Sequence, residues 1–130
     1  MALEPGLKGE ITLIVEEQHT AAAYGSGLVP VLSTPHLVAL LESAAKEAVQ
    51  PYLQEGQSTV GTLVNIRHLA ATPIGMQVRA TAELLSVEGR RLRFHVEAWD
   101  EQEKIGEGEH ERFIIDWARF MARVSQKRGS

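Results

Sequence analysis

One hundred and thirty residues, 44% hydrophobic and 23% charged, suffice for one compact domain with a buried core and are too few for two. Thirteen Lys and Arg against 17 Asp and Glu leave a formal charge of −4, which argues against the clustered positive charge that a nucleic-acid partner needs. With no cysteine there is no disulfide framework, thiolate metal site or cysteine nucleophile, and no apolar run approaches the roughly 20 residues of a membrane span, so a soluble protein of the reducing cytoplasm with no membrane partner is expected.

In chain order, Ile11, Leu13 and Val15 alternate with Glu10, Thr12 and Ile14, the period of a half-buried strand over residues 8–16. Residues 17–33 carry Gly25, Gly27 and Pro30 without clear periodicity and read as a long loop, a length often used for lids or binding segments. Thr34-Pro35 opens a helix, Thr as the capping side chain and Pro where its missing N–H costs no bond, and Pro51 limits it. At 100° per residue Leu37, Val38, Leu41, Ala44, Ala45, Ala48 and Val49 form one apolar face, with His36, Ser43, Glu47 and Gln50 opposite. Four strands follow over roughly 58–70, 76–87, 90–100 and 103–115, separated by turns at Pro73-Ile74-Gly75, Glu88-Gly89 and residues 100–102. In the third of them Leu92, Phe94, Val96 and Ala98 face in while Arg91, Arg93, His95, Glu97 and Trp99 face out, the pattern of a sheet wet on one side. Strand, helix and four strands predict an α+β fold, an antiparallel five-stranded sheet wrapped around one long central helix. It forms a single domain over 1–130, with 116–130 a C-terminal extension whose first part reads equally as a short helix or a continued strand.

Three polar residues stand out on this frame. Glu42 falls inside the apolar helical face, where a carboxylate would be poorly solvated, as an enzymatic acid, base or nucleophile often is; the plainer alternative is an edge position paired with Lys46 one turn on. His68 shares the apolar side of its strand with Val60, Thr62, Val64 and Ile66, where an imidazole can exchange a proton with a reacting group or simply bond a backbone carbonyl. Thr34 offers a hydroxyl at a helix start, beside free N–H groups, but eight helical residues separate it from Glu42 by roughly 12 Å. Gly61, inside a strand, marks a bulge or a close approach, and His110 and Arg112 share one face of the last strand without zinc-like spacing, so no metal is expected. No nucleophile elbow, phosphate-binding loop or dinucleotide fingerprint occurs.

The chain resembles the hotdog-fold acyl-CoA thioesterases, and among them the fluoroacetyl-CoA thioesterase-like family, from about residue 8 to 127. Thr34 with Leu37–Glu42, Pro51-Tyr52-Leu53, Val60-Gly61-Thr62, His68–Pro73, Ala82-Glu83-Leu84, Ser86–Leu92 and Gly108–Arg112 carry the likeness. It implies a homodimer or dimer of dimers with acyl-CoA sites at the subunit interface, and no metal or redox cofactor. It also implies Thr34, Glu42 and His68 as the catalytic positions, Gly61 at close approach to substrate, and Arg112 supporting the site. The segment Tyr24–Leu32 has no Phe, whereas the fluoroacetyl-CoA enzymes place Phe residues just before the catalytic Thr, so selectivity for a fluorinated acyl group is not expected, and the same catalytic positions can serve another small acyl group. The expected activity is hydrolysis of a short-chain acyl-CoA to acid and free CoA; the alternative is a hotdog module that binds acyl-CoA or another small ligand without turnover.

Overall fold

The structure, a computed structural model, describes residues 2–129. Five strands, β1 (Lys8–Ile14), β2 (Gln57–His68), β3 (Gln77–Glu88), β4 (Arg91–Trp99) and β5 (Lys104–Asp116), form one antiparallel sheet in the order β1-β3-β4-β5-β2. Three helices accompany it: α1 (Ala21–Tyr24), α2 (Thr34–Val49) and α3 (Trp117–Gln126). The strand limits lie within two residues of those expected, and the C-terminal stretch is helix rather than strand.

α2 packs against all five strands. Its buried stripe is Leu37, Leu40, Leu41, Ala44, Ala45, Ala48 and Val49, with Leu40 in the place expected for Val38. The facing layer comes from the inward side of β3 and β4: Val78, Ala80, Ala82 and Leu84, then Leu92, Phe94, Val96 and Ala98. Removing the side chains of Leu37, Leu41, Leu84, Leu92 and Phe94 from water contributes roughly 1.5–3 kcal/mol each, which holds the helix in the curve of the sheet far more firmly than its own propensity does. The β3–β4 hairpin turns at Gly89, whose φ of 62° is left-handed and suits the tight connection.

Three expectations are corrected. Residues 17–33 are not a plain loop: a 3₁₀ turn (Glu17–His19) and α1 are tied down by bridges pairing Thr20 with Leu32 and Val31 with Pro73. The capping residue of α2 is Ser33, whose Oγ accepts from the His36 N–H at 3.0 Å, so Thr34 is the first helical residue and keeps its hydroxyl for other work. Finally, β2 bulges between Gly61 and Leu63, where its register against β5 shifts. A one-residue bulge flips the side-chain alternation. Consequently Thr59 and Gly61 face α2 before the bulge and Val64, Ile66 and His68 after it, while Val60 and Thr62 line the outer face beside Phe113 and Phe120.

Candidate active site

Thr34 and His68 meet directly. α2 starts beside the last residue of β2, and Thr34 Oγ1 shares a 2.7 Å hydrogen bond with His68 Nδ1. Both lie on the wall of an open cleft of about 450 Å³, closed on the other side by Ala21, Val29, Val31 and Leu69. The other imidazole nitrogen, Nε2, is buried with no hydrogen-bond partner, which is uncommon for a buried polar atom. Burial lowers the His68 pKa below the ordinary imidazole value, and the Ala70 backbone opposes this only in part, so the ring is neutral near pH 7.

α1 is fastened over this end of α2. The Tyr24 hydroxyl and His36 Nδ1 lie 2.6 Å apart, and the His19 and His36 rings sit 4.3 Å between centroids. Burial lowers the His36 pKa, and the neighbouring His19 lowers it further.

Glu42 belongs to a second cluster. Its side chain keeps 38% of its surface exposed, so it stands at the rim of the apolar face rather than inside it, because the strand it overlies, β2, is the edge of the sheet. Lys46 is not its partner; that lysine approaches Glu47 instead. Glu42 Oε2 lies 3.8 Å from Arg112 Nη1, and a Cβ added to Gly61 would come within 2.6 Å of the same oxygen. The carboxylate therefore rests over bare backbone at Gly61, a position only glycine leaves open.

Behind Glu42 the guanidinium of Arg112 is buried and anchored. Arg112 Nε donates to Thr59 Oγ1 at 2.8 Å and Nη2 to the Thr59 carbonyl at 2.9 Å. Arg112 Nη1 donates to His110 Nε2 at 3.2 Å, while His110 Nδ1 donates to the Leu63 carbonyl at 2.8 Å. A guanidinium only donates and a carbonyl only accepts, so His110 is the neutral Nδ1–H tautomer. Burial lowers its pKa, with the Arg112 charge acting in the same sense. Burial also lowers the Arg112 pKa, with Glu42 opposing.

The chain thus holds its candidate residues in two half-sites, Thr34 with His68 and Glu42 with Gly61, Arg112 and His110, set apart by two turns of helix. Sequence reasoning placed Thr34, Glu42, His68, Gly61 and Arg112 as candidates. It did not single out Thr59, and it weighed His110 only as a metal ligand. The signal for both was indirect, because β2–β5 register brings Thr59 and Leu63 to residues about fifty positions away. Among the described residues no three His, Asp or Glu side chains gather as a metal-holding group, and no helix is long and apolar enough to cross a membrane.

Comparisons with known proteins agree with this architecture. A solved structure of a fluoroacetyl-CoA thioesterase superimposes with a TM-score of 0.92 at 38% identity, covering 98% of both chains. A hypothetical protein of Thermus thermophilus, described as a thioesterase superfamily member, gives a TM-score of 0.89 at 31% identity over 96% of this chain and 93% of that one. The fold is the α+β hotdog fold. The fluoroacetyl-CoA thioesterase of Streptantibioticus cattleyicolor is 47% identical over 97 residues, which is 75% of this chain and 70% of that enzyme. The profile of the family described as Fluoroacetyl-CoA-specific thioesterase matches residues 15–118, a span that takes in both half-sites from Thr34 to Arg112, and the chain belongs to that family.

Proposed function

We propose that this protein hydrolyses a short-chain acyl-CoA thioester to the free acid and CoA, without a metal or redox cofactor. The observation that carries the reading is the Thr34–His68 pair on the wall of an uncharged cleft, in a chain whose relatives hydrolyse an acyl-CoA. Ala21, Val29, Val31 and Leu69 leave room for a small acyl group and offer it no charged partner. Glu42 acts on the thioester carbonyl as nucleophile or as base for water, Arg112 holds its carboxylate, and the bare backbone at Gly61 leaves room for that carboxylate. His68, neutral and with Nε2 unpaired, polarises the carbonyl or protonates the departing thiolate. Thr34 orients His68 rather than Glu42, since the hydroxyl is engaged at 2.7 Å with the imidazole.

The active assembly is a homodimer, alone or paired into a dimer of dimers. β2 is an edge strand whose residues 61–65 are all exposed, with Leu63 and Val64 each 42% accessible, and an apolar edge of that length is normally covered. A chain without cysteine suits the cytoplasm, where acyl-CoA is found. The test is a panel from acetyl- to hexanoyl-CoA with titration of released thiol: turnover of at least one member is expected. Saturable binding with no thiol release for any member would replace the hydrolase with a binding module.

A further inference from the structure

The space above Gly61 is bounded by three side chains. A Cβ placed there would meet Glu42 Oε2 at 2.6 Å, His110 Cε1 at 3.2 Å and Arg112 Nη1 at 3.4 Å. Two of these have evident work in the proposed reaction. The third, His110, is only 1% exposed, and neither of its nitrogens is left to meet substrate. One holds the Leu63 carbonyl at the far side of the β2 bulge and the other accepts from Arg112. Its ring lies against Phe94, centroids 6.1 Å apart and planes 30° from parallel, so it cannot rotate without moving the core.

The geometry points to His110 as a positioning residue for hydrolysis: it ties the bulged backbone of β2 to the Arg112 guanidinium and thereby sets where Arg112 holds the Glu42 carboxylate over Gly61. Arg112 has two bonds to Thr59, but both leave from Nε and Nη2. Nη1, the nitrogen facing Glu42, has His110 as its hydrogen-bond acceptor. Without that acceptor the guanidinium can swing about its Thr59 anchor and carry Glu42 with it. The same imidazole keeps Leu63, and with it the bulge, at a fixed distance from Arg112, so the open backbone and the carboxylate stay in register. This inference rests on the reading of Glu42 as the reacting carboxylate.

Three variants of the full chain test it with the best substrate of the acetyl- to hexanoyl-CoA series. His110→Phe keeps the ring volume and the contact with Phe94 but removes both bonds. Its kcat is expected to fall roughly 10–100-fold while KM changes by less than about threefold, since a small misplacement of a reacting group costs rate without costing binding. His110→Gln can still present an acceptor to Arg112 and is expected to recover most of the lost kcat. His110→Asn can bond Leu63 but is too short for Arg112, and is expected to be slower than the Gln variant. A folded Phe variant with wild-type kcat, or Gln and Asn variants equal in kcat, would overturn the assignment, and the second comparison stands even where the Phe variant does not fold. Glu42→Gln, run alongside, separates the two ideas: full turnover there overturns the role of Glu42 itself, whereas loss there with unchanged His110 variants overturns only the role of His110.

Discussion

A histidine held neutral in the fold but free to titrate in the unfolded chain ties stability to pH. His36, His68 and His110 are in that position, each with a pKa lowered from 6.5 chiefly by burial. Well above 6.5, neither the folded nor the unfolded chain carries these protons, and the full stability is present. As the pH falls through the unfolded value the unfolded chain takes up protons that the fold refuses, so stability declines until each folded-state pKa is passed. Glu97, whose pKa is lowered by Lys104, adds a loss of its own only further down, below the carboxylate value of 4.5. Thermal melts between pH 8 and 5.5 therefore report on the histidines: Tm is expected to be level down to about pH 7.5 and to fall below it, most steeply under about pH 6.5. A flat Tm across that window would mean that these three rings ionise in place.

At the scale of elements, the junction of β1 with α2 depends on one residue without a side chain. A methyl on Gly9 would collide with the Ala44 carbonyl oxygen and with the Ala48 N–H, backbone atoms of a buried helix that cannot step aside. Gly9→Ala is expected to cost about 1–3 kcal/mol and lower Tm by roughly 3–10 °C, read by thermal denaturation; an unchanged Tm would mean that β1 can slide on the helix. The elements themselves were legible because burial follows simple periods. The 3.6-residue stripe of α2 and the alternation of β4 emerge from the spacing of Leu37, Leu41 and Ala44 and of Leu92, Phe94 and Val96. What stayed hidden was local. Gly61 marked a bulge or a close approach, but Val60, Thr62 and Val64 alternate as plausibly with a bulge as without one, so the phase change there was not legible in residue type. Ser33 and Thr34 are adjacent and both able to cap, and only backbone geometry distinguishes them. The site was legible as residues but not as contacts: the Thr34–His68 bond and the Arg112–Thr59 anchor join positions 34 and 53 apart in the chain, which periodicity does not address.

On the scale of the whole molecule, the separation of the two half-sites becomes a matter of counting along β2. Two antiparallel copies of an edge strand related by a two-fold axis pair residues whose numbers have a constant sum. If the axis passes through Asn65, at the end of the exposed run, Val64 pairs with Ile66 and Leu63 with Arg67, and the bulge, which sets two residues against one, brings Gly61 of one protomer opposite His68 of the other. Each Glu42 then faces the cleft of the neighbouring chain, and every reaction centre borrows half its chemistry. Such a division can be read by mixing two dead proteins. The Glu42→Ala and His68→Ala proteins, each expected to be inactive alone, are dissociated together and allowed to reassociate. Random pairing makes half the dimers mixed, and each mixed dimer has one whole centre of its two, so recovery of about a quarter of wild-type activity is expected. Centres contained within single chains would recover nothing, however completely the subunits exchanged.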